Sequence, residues 1–318
     1  MPNVVITDHG FSSIELERDV LSGAGFTLDE AKPACKTEDE VIQRCGDAEV
    51  LLVQWAPITR RVLQSLPNVR GVVRYGIGVD NIDVNAAKAA GRIVSNVPKY
   101  CLEEVSDHAM AMILSLARRL PHDHGQIVHG GWGIRPFLPI PAFSDMTLGM
   151  IGFGSIARKV SAKARSFRFR QIASDPIAPA ETFAELSVEK CDLDVVLRSA
   201  DIISLHCPLT AETKHIINAR SIATMKPGVL LINTARGPLI KESDLIDALK
   251  DGHIKGAGLD VFETEPLPAN SPLRTLPNVL LSSHAASVSE RAVELLKIKA
   301  AEAARDILWG KHPEGALF

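Results

Sequence analysis

Three residues late in the chain, Arg236, Glu265 and His284, are of types that can act together on a small oxo acid. An arginine presents a planar fork able to hold a carboxylate by both oxygens and polarise a neighbouring C=O. A histidine can give a proton to a ketone oxygen as hydride arrives at carbon, and take it back in oxidation. A glutamate beside the imidazole would favour its charged form and keep the acid protonated near neutral pH. Each residue also has a plainer use: a surface ion pair for Arg236, a satisfied loop position for His284, a turn before Pro266 for Glu265. Position is what joins them. Arg236 follows the apolar run Val229 to Ile232, His284 follows Val279 to Leu281, and Glu265 comes shortly after Asp260, which closes Ala257 to Leu259. Ligands of an open parallel sheet bind outside the carboxyl ends of its strands. That rule makes Asp175, His206, Thr234, Arg236, Asp260 and His284 the candidates for chemistry.

The element that must position them is Thr147 to Asp175. Thr147 to Ile151 reads as a buried strand and runs at once into Gly152-Phe153-Gly154-Ser155-Ile156-Ala157, with a helix-forming segment behind it. This is the G-x-G-x-x-G/A pattern. Gly152 permits a tight turn, Gly154 lets a pyrophosphate approach the backbone, and Ala157 lets helix and strand pack closely. The free N–H groups and positive end of the helix then meet the anion. A second strand, Gln171 to Ser174, ends in Asp175, at the interval of about twenty residues expected for the acid that binds a ribose 2′-hydroxyl. Its carboxylate would repel a 2′-phosphate, and Pro176-Ile177-Ala178 supplies no arginine, so the expected cofactor is NAD rather than NADP.

At 318 residues the chain exceeds what one core usually holds, which implies two domains. Hydrophobic content of 46% with 23% charged residues is that of a folded globule. A net charge of -3 gives no general pull toward nucleic acid or anionic membrane. Arg158, Lys159, Lys163, Arg165, Arg168 and Arg170 read as a solvated face rather than an anion site. Five scattered cysteines without C-x-x-C spacing suggest reduced thiols and a cytoplasmic protein. The start, MPNVVITDHG, resembles neither a signal nor a transit peptide, and no apolar run reaches membrane-spanning length. His122, His124 and His129 lack zinc spacing and a completing ligand set, so no metal is expected.

Strand and helix signals alternate along the first third: Val4 to Thr7, Ile14 to Ala24, a capping box at Thr37 to Glu40, Val50 to Val53, a cap at Thr59, Gly71 to Arg74, and Asp83 capping Val84 to Ala90. After Pro98, Leu102 to Leu120 reads as a buried helix, and Gly130 to Phe143 as an irregular arm. More βα units follow the fingerprint, then Ser287 and Glu290 suggest a capping box for a long helix closed by Gly310. The fold class expected is α/β: two Rossmann-like, doubly wound parallel-sheet domains with a cleft between them. Because the fingerprint sits so late, residues 1–99 are expected to form one domain, joined by the returning terminal helix (288–318). Residues 100–287 form the NAD-binding domain.

Asn233-Thr234-Ala235-Arg236-Gly237, Gly258 to Pro266 and Ser283-His284-Ala285-Ala286 resemble, in order, the arginine, glutamate and histidine signatures of the D-isomer-specific 2-hydroxyacid dehydrogenase family. Arg74 to Asn81 is similar to the family's substrate-domain loop, and Ser204 to Thr210 to its adenosine-pocket segment. The resemblance covers essentially the whole chain. Val97 to Val105 and Arg74 look most like the branch holding the C-terminal binding proteins, beside the phosphoglycerate dehydrogenases. The resemblance implies Arg236 as substrate binder, Glu265 as partner of the acid, and His284 as acid/base. It implies Arg74, Ile77 and Gly78 around the substrate carboxylate. It implies Gly152, Gly154, Ser155, Ile156, Asp175, His206, Cys207, Pro208, Thr213, Thr234, Ala235, Asp260 and His284 along the cofactor, with Asp260 on the nicotinamide amide. Subunits would pair as a homodimer through the NAD domain. Side-chain selectivity is expected to rest on His9, Gln54, Trp55 and Tyr75, with Trp132 or Arg135 contributed across the dimer. The expected activity is hydride transfer between NAD(H) and a small 2-oxo/D-2-hydroxy acid. The competing expectation is an NAD(H)-sensing interaction protein of the C-terminal-binding-protein type with incidental turnover.

Overall fold

The computed structural model describes residues 3–133 and 139–318 and divides into two compact units, Met1–Tyr100 with Ser289–Phe318, and Cys101–Val288. The first unit is built on β1 (Asn3–Ile6), β2 (Thr27–Glu30), β3 (Val50–Val53), β4 (Gly71–Arg74) and β5 (Ile93–Ser95), all parallel in the order β2-β1-β3-β4-β5. Its central strands are short β-branched and leucine runs buried on both faces, as a sheet covered by helices requires. One face packs Val5, Leu51, Val53 and Val72 against Val41, Val62, Leu63 and Ala87. The other packs Val4, Ile6, Leu52 and Val73 against Leu21 and, from the terminal helix Glu290–Leu308, Leu296, Ala300 and Ile307. The strand order reverses between β1 and β3, which brings Asp8 to the backbone of Gln54-Trp55-Ala56.

The second unit holds β6 (Thr147–Ile151), β7 (Arg170–Ser174), β8 (Glu189–Lys190), β9 (Ile202–Leu205), β10 (Val229–Asn233), β11 (Ile254–Leu259) and β12 (Val279–Leu281). They form one parallel sheet in the order β12-β11-β10-β9-β6-β7-β8. The helices Leu102–Ala117 and Ser155–Ala164 cover one face through Met112, Ile113, Ala157 and Val160. Val196, Leu197, Leu245 and Leu249 cover the other. The order reverses between β6 and β9, so the fingerprint turn after β6 lies at the switch point where such sheets take their ligands.

Helix starts follow their side chains. Thr37 and Glu40 form the expected capping box, Thr59 accepts the Val62 N–H, and Asp83 accepts the Ala86 N–H at 2.8 Å. Two boundaries differ from expectation. The helix read as Leu102 to Leu120 stops at Ala117: Arg119 turns left-handed (φ 56), and a second helix, Leu120–Val128, opens with Pro121 in its first turn, where a missing N–H costs nothing. The terminal helix is capped by Ser289, whose hydroxyl accepts the Ala292 N–H at 3.0 Å, not by the Ser287/Glu290 pair. Trp132 is 92% exposed in the arm, whereas Arg135 lies outside the described residues. Among the described residues no helix is long and apolar enough to cross a membrane.

Candidate active site

At the end of β6, Gly152 adopts φ 88, and a Cβ there would sit 2.5 Å from the backbone N of Cys207. Both facts demand glycine. Gly154 precedes the helix and faces open space, while Ala157 is fully buried beneath it. The N–H groups of Ser155 and Ile156 in the first turn have no partner inside the helix and are available to an anion.

Asp175 closes β7. Its carboxylate accepts the N–H groups of Phe153 (2.7 Å), Ile177 (2.8 Å) and Ala178 (2.9 Å), which ties it to the fingerprint turn. Burial pushes its pKa up, but those three N–H groups and the Lys190 charge outweigh burial and leave it below the usual carboxyl value. The group is therefore an anion at the carboxyl end of β7, beside the fingerprint turn. Beyond β9, desolvation pushes His206 down to about 4, so its imidazole is neutral, and Nε2 lies 2.9 Å from the Ser204 hydroxyl. Burial pushes the Cys207 thiol up to about 11. The Thr213 hydroxyl donates to the Pro208 carbonyl at 2.6 Å and closes the turn. After β10, the Asn233 side chain takes the Ala235 N–H and donates to the Arg236 carbonyl, folding the loop back on itself. The buried Thr234 hydroxyl has no hydrogen-bond partner among the described residues. An open helix N-terminus, a fixed anion and an orphaned hydroxyl at the carboxyl ends of strands in one sheet fit a dinucleotide.

The candidate catalytic residues stand at or after the neighbouring strand ends. His284 Nδ1 lies 2.7 Å from Glu265 Oε2, and Glu265 Oε1 accepts the Phe262 N–H at 3.0 Å. Burial pushes the Glu265 carboxyl up, yet the hydrogen bond and charge of His284, the Phe262 N–H and the Arg236 guanidinium hold it below its ordinary value. Arg236 therefore shares this electrostatic neighbourhood. Its loop is pressed onto the glutamate loop, since a Cβ on Gly237 would lie 1.8 Å from the Phe262 carbonyl oxygen.

His284 itself is left-handed (φ 54), and Asp260 holds it so. The Asp260 carbonyl accepts the His284 N–H at 2.7 Å; its carboxylate accepts Ala285 N–H and Ala286 N–H, both at 2.9 Å, and the Ser282 hydroxyl at 2.5 Å. Ser282 is also 2.9 Å from His108 Nε2. Asp260 is 1% exposed, which gives it the position of a brace under the histidine loop. Sequence reasoning gave no role of its own to Asn233, Ser282 or His108. Asn233 and Ser282 adjoin strand-end residues already singled out, whereas His108 lies 174 residues before Ser282 and carried no signal. A second couple, His215 Nε2 to Glu263 Oε1 at 2.6 Å, and the bond from Glu242 N–H to Glu263 clasp the outer side of the glutamate loop.

In the first unit, Arg74 curls back to donate to the Tyr75 carbonyl. The carbonyls of Gly76 and Ile77 accept from Val97 N–H and the Asn96 side chain, while the N–H groups of Ile77 and Gly78 make no hydrogen bond among the described residues. Asp8, which the sequence reading missed, accepts the N–H groups of Gln54, Trp55 and Ala56 and shapes that loop. His9 Nδ1 accepts the Phe11 N–H, so the Nε2 proton points to Glu30 at 3.1 Å. Trp55 is 56% exposed, its ring lying over Gly10. Tyr75 is 1% exposed, so its ring cannot line a substrate pocket as expected.

Among proteins of known family, residues 110–286 match the model of the D-isomer specific 2-hydroxyacid dehydrogenase, NAD binding domain. The chain is 38% identical over 283 residues to a D-3-phosphoglycerate dehydrogenase of Methanocaldococcus jannaschii, covering 88% of this chain but 54% of that one, so it spans about half that relative's length. It is 37% identical over 295 residues to a glyoxylate reductase of Korarchaeum cryptofilum, covering 91% and 87%. The structure of D-lactate dehydrogenase from Aquifex aeolicus complexed with NAD and lactic acid superposes with a TM-score of 0.85 at 27% identity, covering 97% of this chain and 96% of that one. With the NAD-binding fold, the strand-end arginine and the imidazole–carboxylate couple all in place, the chain belongs to the D-isomer specific 2-hydroxyacid dehydrogenase family, on its phosphoglycerate-dehydrogenase-like side.

Proposed function

We propose that the chain is an NAD-dependent 2-oxo acid reductase and D-2-hydroxyacid dehydrogenase acting on a small, soluble acid. The observation that carries this reading is the 2.7 Å His284–Glu265 couple inside the field of Arg236. NADH, when bound, supplies the hydride, and NAD accepts it in the reverse direction. The Arg236 fork holds the carboxylate and draws electron density from the adjacent C=O. Because Nδ1 of His284 is committed to Glu265, Nε2 is the nitrogen left for the substrate oxygen. As hydride reaches the carbon, the carbonyl π electrons move to oxygen, which takes the Nε2 proton. In oxidation the same nitrogen removes that proton. Glu265 stays anionic throughout and offsets the charge on the imidazolium. Arg74 and the N–H groups of Ile77 and Gly78 are proposed as further carboxylate contacts, supported by the two N–H groups left without partners.

The fixed Asp175 carboxylate supports NAD over NADP. The five unbridged cysteines support a reducing compartment such as the cytoplasm. Leu120, Ile127 and Val128 are 55%, 47% and 64% exposed on one short helix, and Trp132 follows it; this apolar surface supports a homodimer formed through the NAD-binding unit. Sedimentation showing a monomer at micromolar concentration would remove the dimer. A protein that merely senses NAD(H) has no use for an imidazole paired to a carboxylate in the field of an arginine. The decisive experiment follows NADH oxidation with glyoxylate, hydroxypyruvate, pyruvate and longer 2-oxo acids. Turnover above about one per second on at least one of them is expected. Turnover below about one per minute on all would leave the sensor reading in its place.

A further inference from the structure

Beneath the Gly76–Gly78 turn of the first unit lies a set of buried polar side chains that the proposed chemistry does not use. Tyr75, the residue that enters the turn, donates its phenol to Glu17 Oε1 at 3.1 Å. Glu17, on the helix Glu15–Ser22, has no exposed surface. Its Oε2 lies 3.4 Å from Nζ of Lys297, which is on the terminal helix and 6% exposed. Lys297 donates to the Ser13 carbonyl at 2.6 Å and lies 5.7 Å above the Phe11 ring. Phe11 in turn meets Tyr75 edge-on at 5.2 Å. Burial, reinforced by the Glu17 charge, pushes the Tyr75 pKa well up, so the phenol keeps its proton and remains a donor.

A buried carboxylate and ammonium are costly to desolvate, and apolar residues of equal volume would hold such a fold together at least as well. The arrangement therefore calls for a reason beyond stability, and the turn above it supplies one. The carbonyls of Gly76 and Ile77 are tied to Val97 and Asn96. Below, the Tyr75 phenol is held by Glu17 and its ring by Phe11, and Lys297 of the terminal helix backs both. Pinned on both sides, the turn keeps one orientation for the N–H groups of Ile77 and Gly78.

We propose that Tyr75, Glu17 and Lys297 form a positioning device that fixes this turn for recognition of the substrate carboxylate. The inference rests on the substrate-binding role proposed above for Ile77 and Gly78. Tyr75→Phe keeps the ring and removes the hydrogen bond. In the full chain it should raise KM for the best 2-oxo acid about fivefold while kcat and NADH affinity stay within about twofold, since the loss falls on substrate binding. Glu17→Gln with Lys297→Met, which removes both charges together, should raise KM in the same way. Amide hydrogen exchange at Ile77 and Gly78 should become about tenfold faster in Tyr75→Phe, a readout that needs no turnover. A lower melting temperature with KM and exchange unchanged would reduce the trio to a structural role and overturn the proposal. Faster exchange in a parent protein that binds NADH but reduces no 2-oxo acid would instead strike the functional reading alone.

Discussion

His284 Nδ1 and Glu265 Oε2 are 2.7 Å apart, and the Arg236 guanidinium contributes to holding Glu265 in its charged form. In the reaction proposed above, the couple leaves Nε2 as the atom that exchanges a proton with substrate. Replacing His284 by Ala removes that proton without touching the fingerprint turn or Asp175. We expect kcat to fall by about a thousandfold, within the range general acid–base groups contribute, with the dissociation constant for NADH changed by less than about threefold. Fluorescence titration with NADH beside steady-state rates would check this. Loss of NADH binding with the lost rate would make His284 part of the cofactor site instead.

Glu265 sets the pH behaviour. Its folded pKa lies below the ordinary value of 4.5, so its pairing contributes stability that is fully present above that value and is lost as pH falls through the lower folded pKa. Glu265→Gln should flatten this acid limb in denaturant titrations between pH 3 and pH 5 (about one unit either side of the ordinary carboxyl range). In catalysis the amide no longer offsets the charge that the imidazolium carries. The kcat of reduction should then fall at least about tenfold while NADH affinity is retained. An unchanged kcat in the variant would exclude Glu265 from the proton chemistry.

Asp175 is held by three N–H groups and is anionic, so it should discriminate against a 2′-phosphate through charge. Asp175→Ala removes that charge and also frees three N–H groups beside the proposed ribose position. The ratio of kcat/KM for NADPH to that for NADH should rise by at least about tenfold, about 1.4 kcal/mol. An unchanged ratio would place cofactor choice elsewhere, with Lys190, whose Nζ donates to the Ala178 carbonyl at 2.7 Å, the next residue to vary.

Elements whose physics is local were legible in the sequence. β6, β9 and β10 are buried on both faces and announce themselves as unbroken apolar runs. Thr37, Thr59 and Asp83 mark helix starts because each cap is completed within three residues. The edge strands β2 and β8 went unread: a strand paired on one side needs few apolar residues, and TLDE and EK carry little pattern. Asp8 was invisible for another reason. Its role depends on β1 lying beside β3, a pairing no short stretch encodes. Tyr75 was misplaced likewise, because the partner that buries it, Glu17, is 58 residues away in sequence. At the reactive centre the residue types and strand-end positions were readable, but the brace beneath His284 was not.

That brace yields the last expectation. The Asp260 carboxylate accepts hydrogen from Ala285, Ala286 and Ser282, while its carbonyl accepts the His284 N–H, so four bonds from one buried residue set a left-handed histidine. Asp260→Asn turns one acceptor into a donor that must face a backbone N–H or the Ser282 hydroxyl. A buried clash of donors of this kind costs about 2 kcal/mol, and denaturant midpoints should show it. The histidine loop should loosen, and kcat should fall at least about tenfold while NADH affinity is retained, because the brace acts through His284. If Asp260 instead held the nicotinamide amide directly, the same variant would weaken NADH binding at least as strongly as it lowers kcat. A titration of NADH against parent and variant separates the two roles, and weakened binding with normal stability would retire the brace.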